Sequence, residues 1–358
     1  MATVFIILFL AAEVAVRATH VFPGPRWTDH PLLGSVLIPG SVARLQTPEF
    51  STEVRANSLG FRDDDHPFAK PPGATRIAFL GDSFTEAAQV DVEQRFDRII
   101  MRRLEENGRR TETLNFGIGG FGTDQALLTY RTIARNFSPD VVVLIVAPND
   151  FRNNLRKLEQ SPNKPYFHLE GDTLIYEPPQ FNYNVRLRRL IQKSFILTEL
   201  ANTLFAKNKE HAMKSVGGGG FPPGFEIYLT PLTPAYEESA HLTERLVEEL
   251  SRKVAEDGGT LLLTTVPPRE LIHLETISEL ATRYPDVSTT NLDFMQPDNI
   301  VSQIAARHDI PFVSLSKGLK AACEESCYVV DGHWNAQGIK QVASVLYPPI
   351  ERVIHDGE

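Results

Sequence analysis

Three residues that could form a nucleophilic site stand far apart in this chain: Ser83 in "GDSFTEA", and Asp331 and His333 in "VVDGHWN". A serine hydroxyl is a weak nucleophile until an imidazole takes its proton, and that imidazole needs an acceptor on its other nitrogen. Asp331 precedes His333 by two residues, so a turn would let its carboxylate hold Nδ1–H while Nε2 faces the serine. Acyl transfer at such a serine also needs donors for an oxyanion. Two further segments offer them: "NFGIGGFGTDQ", with a backbone N–H at Gly120, and "VAPNDFRNN", with the side-chain amide of Asn149. The N–H of Ser83 itself is a third.

Each residue also has a plainer reading. Serine and asparagine are favoured helix N-caps, a lone histidine is usually not catalytic, and Trp334 beside it either shields a site or packs a helix. Glycines make tight turns, and Gly117, Gly119 and Gly122 also spell G-x-G-x-x-G. A dinucleotide fingerprint of that form should follow the first strand of its unit and be answered by an acid at the end of the next strand. Here it follows the second strand, and Asp140 comes before the third.

What joins the candidates is the element pattern around them. Apolar strands over 76–82, 112–117 and 140–148 alternate with helical stretches, a β-α-β-α-β run. The pattern resumes with a helix over 235–259, a strand over 260–267, a helix ending near His308 and a strand over 311–315. Near-continuous apolar strands of this kind imply a parallel sheet covered on both faces. All four segments then fall at strand-to-helix junctions on one edge of the sheet, the edge where open α/β folds bind ligands. The stretch from about 155 to 232 interrupts the pattern with a basic amphipathic segment, "NVRLRRLIQKSFILTELANTLFAKNKEHAMK", and a glycine-proline loop at 217–225. It emerges at the same edge, as a lid, a substrate wall or a helical hairpin extending the core.

The 358 residues suffice for a sizeable core, with 42% hydrophobic residues and 23% charged ones. A formal net charge of −9 offers no basic surface for phosphate backbones and argues against a nucleic-acid partner. Cys323 and Cys327 are too few for a disulfide scaffold; a local disulfide and two free thiols both remain consistent with them. The apolar run Val4–Ala12, broken by Glu13, reads either as a short membrane anchor or as a helix packed on the domain. The division expected is therefore a membrane-anchor or signal-like helix over 1–20, an extended lead-in over 21–72, and a catalytic domain over 73–358 with its insertion at about 155–232.

Taken together, the segments resemble the SGNH/GDSL family of serine esterases and acyltransferases. "GDSFTEA" is similar to its first block, "NFGIGG" to its second, "APND" to its third and "DGHWNAQG" to its last. The resemblance implies an α/β, flavodoxin-like three-layer fold with a five-stranded parallel sheet. It also implies Ser83 as nucleophile, His333 and Asp331 as its partners, and Ser83, Gly120 and Asn149 as oxyanion donors. Two departures stand out. Ala147 occupies the glycine position of the third block, and a single residue, Gly332, separates acid from base where the family usually has two. That D-x-H-W spacing is similar to alginate-type O-acetyltransferases and to membrane-anchored bacterial members.

The expected activity is hydrolysis of acetyl or short acyl esters, with neither metal nor cofactor and with the domain outside the cytoplasm, in the periplasm or at the cell surface. The alternatives are an O-acyltransferase acting on a glycan, which would need a membrane partner as acyl donor, and a silent glycan-binding or assembly protein.

Overall fold

In the computed structural model, residues 2–19, 27–181, 183–192, 194, 196–198, 200, 224–273, 275–284, 291–323 and 327–357 are described. The centre is a five-stranded, all-parallel sheet of β5 (Thr75–Leu80), β6 (Thr111–Asn115), β7 (Val141–Val146), β10 (Thr260–Thr265) and β11 (Phe312–Ser314). Its spatial order is β11-β10-β7-β5-β6. Counted within the sheet this is 2-1-3-4-5, the flavodoxin-like order, whose direction reverses at the first strand, β5.

Alternation along the strands explains the layers. In β7, "VVVLIV", every residue is buried. Val141, Val143 and Ile145 face one way, with Ile77, Phe79 and Leu262, against α3 (Phe96–Glu106) and the helices Leu315–Ala322 and Ala336–Asp356. Val142, Leu144 and Val146 face the other way, with Ala78, Leu80 and Leu263, against α4 (Thr123–Thr132) and the helices Pro234–Glu256 and Gln296–Arg307. A strand with two apolar faces is stable only when covered on both, and these helices supply the cover.

The lead-in is more structured than an extended wrap. It forms two antiparallel hairpins, β1 (Trp27–His30) with β2 (Gly34–Leu37) and β3 (Val42–Gln46) with β4 (Ser51–Arg55). Within the insertion a third hairpin pairs β8 (Tyr166–Glu170) with β9 (Thr173–Glu177). Its two-residue turn is Gly171-Asp172, with Gly171 at φ 58°, the backbone such tight turns demand. Of the basic amphipathic segment, α7 (Val185–Gln192) is described; its residues 201–214 and most of the glycine-proline loop lie outside the described residues. Cys323 and Cys327 are disulfide-bonded.

The N-terminal run forms α1 (Ala2–Thr19). Among the described residues, no helix is long and apolar enough to cross a membrane.

Candidate active site

β5 ends at Leu80, and Gly81-Asp82 turn the chain into α2 (Ser83–Glu86). The cap of this helix is Asp82, not Ser83: Asp82 Oδ1 accepts the Phe84 N–H at 2.9 Å. A carboxylate at the N-cap satisfies an orphan donor and suits the positive helix end. Ser83 is thus the first helical residue, with its hydroxyl left over for another partner.

That partner is His333, whose Nε2 lies 2.7 Å from Ser83 Oγ. Its Nδ1 is 2.9 Å from Asp331 Oδ1. An ionised carboxylate only accepts, so Nδ1 carries the proton and the Nε2 lone pair of the neutral ring faces the serine O–H. The single-residue spacing still reaches, because Gly332 takes φ 91° and Asp331 Oδ1 also accepts the His333 N–H at 3.0 Å. The turn is closed by Val329 N–H to the His333 carbonyl at 2.8 Å and Gly332 N–H to the Val329 carbonyl at 3.0 Å. It leads into a helix capped by Asn335, whose Oδ1 accepts from Gln337 and Gly338, each at 2.9 Å. The imidazole stacks on Phe84 with centroids 4.8 Å apart. Trp334 is buried and packs edge-on against Phe84 and Phe96, so it serves the core.

β6 delivers the glycine turn to the same place. A Cβ built at Gly119 would lie 3.6 Å from Ser83 Cβ, and Gly120 follows at φ 81° on the open side. The Gly120 carbonyl is held by Asn153 Nδ2 at 3.2 Å. A Cβ at Gly117 would meet the Glu86 nitrogen at 2.3 Å, and one at Gly122 would meet Asn154 Oδ1 at 2.5 Å. Gly117 thus packs the second junction onto α2, and Gly122 packs it onto the helix after β7.

Asn149 lies on α5 (Pro148–Asn154), the helix after β7, which Pro148 opens at its first position. Ala147 is the cap, so Asn149 does not cap this helix; its Nδ2 donates to Asp82 Oδ2 at 3.1 Å. One amide hydrogen is so used. Burial raises the pKa of Asp82 against the hydrogen bonds from Phe84 and Asn149 and the nearby His333, which lower it. Burial, and after it the neighbouring Asp82, raises that of Asp150 well above the carboxylate range.

Sequence reasoning assigned no part to four residues that shape this site. Glu86 is buried, and its Oε2 accepts the Gly119 N–H at 2.8 Å, pinning the glycine turn to α2. Arg62, fully buried, donates to the Glu86 carbonyl at 3.1 Å and the Ala87 carbonyl at 2.8 Å, closing the far end of α2. Trp27 of β1 approaches the turn, its ring 3.7 Å from a Cβ built at Gly119. Asp82 orients Asn149. Glu86 leaves one faint signal, an acid three residues past the serine on the face a short helix must bury; Arg62 and Trp27 come from the lead-in and leave none.

Fold and site define an α/β protein with a Ser–His–Asp line at the switch point of a parallel sheet, the arrangement used in acyl transfer. The model of the GDSL-like lipase/acylhydrolase family matches residues 79–340, and the chain belongs to that family. It is an ester hydrolase at the level of that family. No curated protein matches the chain. Among solved structures it is similar to TesA (11% identity, covering 78% of this chain and 99% of that one, TM-score 0.43). It is also similar to the acetyl xylan esterase AlAXEase (17%, 76% and 98%, TM-score 0.42). A third is the lipase/acylhydrolase from Enterococcus faecalis (13%, 77% and 95%, TM-score 0.43).

Proposed function

We propose that the protein hydrolyses acetyl or short acyl esters through an acyl-enzyme on Ser83. The observation that carries this reading is the unbroken line from Asp331 Oδ1 to His333 Nδ1 at 2.9 Å and from His333 Nε2 to Ser83 Oγ at 2.7 Å. Ser83 Oγ attacks the ester carbonyl carbon as its proton passes to Nε2, and the negative carbonyl oxygen is received by the N–H groups of Ser83 and Gly120 and by Asn149 Nδ2. Collapse of the tetrahedral intermediate breaks the carbon–oxygen bond, and the leaving alkoxide takes the proton from His333. Water then adds to the acyl-serine with His333 as base, releasing the acid. A sugar hydroxyl in the place of water would give O-acyl transfer by the same steps. The disulfide supports a domain outside the cytoplasm, where such bonds persist.

Intact-mass analysis after exposure to a fluorophosphonate tests the activation of the serine. One adduct, mapped to Ser83 and lost in Ser83→Ala, is expected; folded wild-type protein without an adduct would refute the reading.

Asp331 has a graded effect. Its side chain is 57% exposed, so water screens its hold on the imidazole. Asp331→Asn is expected to lower kcat/KM for p-nitrophenyl acetate by roughly ten- to a hundredfold, well short of the ~10⁴-fold loss in kcat that removing a buried triad carboxylate causes. An unchanged rate would mean that Asp331 does not orient the base.

A further inference from the structure

Two helices of this protein are inside out. A helix on a water-soluble domain turns its apolar face inward. In α1 the side chains of Phe5, Ile6, Leu8 and Leu10 are exposed, while among its described side chains Glu13 alone is buried. Glu13 Oε2 accepts from Ser194 Oγ at 2.9 Å and from the Ile196 N–H at 3.2 Å, which ties α1 to the segment following α7. α7 repeats the inversion. Two of its polar side chains reach the domain: Gln192 donates to the Trp27 carbonyl at 2.7 Å and Arg188 to Asp29 at 3.1 Å. Its leucines one turn apart, Leu187 and Leu190, are 55% and 60% exposed.

Exposed apolar surface on this scale needs a cover, and the charge around it selects one. From Pro178 to Thr198 the sequence has no Asp or Glu but contains Arg186, Arg189 and Lys193, besides Arg188, which pairs with Asp29, in a chain of net charge −9. Exposed leucines interleaved with cations are the pattern of a helix lying in a bilayer interface, apolar side chains among the acyl chains and cations at the phosphates. An acidic protein surface would match the cations but not the leucines; a second copy of this chain would match the leucines but set like charges together.

We infer that α1 and α7 form one docking face for an anionic lipid bilayer. The face requires no spanning helix. Because α7 also holds β1 through Gln192 and Arg188, and β1 carries Trp27 to the Ser83 site, docking would set that wall of the site next to the lipid surface.

Flotation of the full chain with vesicles tests this without reference to any enzymatic activity. Binding to phosphatidylcholine mixed with phosphatidylglycerol is expected to be at least about tenfold tighter than to phosphatidylcholine alone, and to weaken with salt. The double variant Leu187→Asp/Leu190→Asp, which leaves α1 intact, is expected to lose at least about tenfold on the mixed vesicles at an unchanged thermal midpoint, since both positions are exposed. Equal binding to both vesicle types, or a double variant that binds like wild type, would overturn the inference. So would concentration-dependent self-association with no vesicle binding, which would make the occupant a second copy of the chain.

Discussion

Ser83→Ala should lower kcat/KM for a small ester such as p-nitrophenyl acetate by at least about 10⁴-fold while leaving the thermal midpoint nearly unchanged. The two halves of this result separate the two readings of the residue. A serine that caps a helix contributes about 1 kcal/mol to stability and nothing to turnover. A serine bonded to an imidazole that is itself held by a carboxylate contributes the reverse. The cap of α2 belongs to Asp82, through its bond to the Phe84 N–H, and this bond survives in the alanine variant. Alanine is also the best helix former, so the first position of α2 tolerates it. The hydroxyl that is lost is the one 2.7 Å from His333 Nε2. Steady-state kinetics beside a melting curve decide the matter: a destabilised variant with wild-type turnover would leave Ser83 a structural residue.

Arg95→Ala is expected to cost about 3 to 5 kcal/mol of stability at neutral pH and to take activity with it, although Arg95 contacts none of the three reacting residues. Arg95 is fully buried, pairing with Asp97 at 2.7 and 2.9 Å and with Asp63 at 2.8 Å. Removing the guanidinium would leave Asp97 buried without its charged partner and Asp63 with a weaker set, Arg98 at 3.0 Å and His66 at 3.5 Å. The cluster also supports the second junction. Asp63 Oδ2 accepts the Asn115 N–H at 2.9 Å, Asn115 Nδ2 donates to the Thr85 carbonyl at 2.8 Å, and Asn115 Oδ1 accepts the Gly117 N–H at 3.0 Å. Loosening it would free the glycine turn from α2.

The loss should depend on pH in a defined sense. Burial alone would raise the pKa of Asp63, but Arg95, with His66 and Arg98, outweighs it and holds the carboxyl well below its usual range. A depressed pKa stabilises the fold above the unfolded value of about 4, and that contribution fades as pH falls toward the folded value. Wild type and variant should therefore differ most at neutral pH and converge below about pH 4. Denaturant unfolding at several pH values measures this, and a gap that widens in acid would refute the assignment.

Sequence by itself determined the sheet and the junctions on its edge. Val141–Val146 has no polar position, a pattern stable only between two apolar layers, and the expected strands match the observed ones to within about two residues at most ends. Since parallel strands all end at one edge, Ser83, Gly120 and Asn149 followed as neighbours from their places after β5, β6 and β7. His333 follows no described strand of the sheet, because the short apolar stretch before it makes only an isolated bridge, Tyr328 with Trp334, beyond the helix that follows β11. The hairpins were not legible. β1 and β2 have four residues each, too few for alternation to rise above noise, although Gly171-Asp172 between β8 and β9 was a usable turn signal.

Only the tertiary structure decided which groups serve the serine and which merely stand beside it. That Asp82 rather than Ser83 caps α2, and that Asn149 donates to Asp82, are hydrogen bonds between partners on different elements or competing within one turn, where composition favours several outcomes equally. Arg62 and Arg95 are hidden in the sequence, and Glu86 nearly so, for the same reason. A charged residue reads as solvent-exposed until the fold surrounds an arginine with carbonyls and carboxylates, or a glutamate with N–H groups, and those partners come from segments of the chain that are distant from it or just beside it.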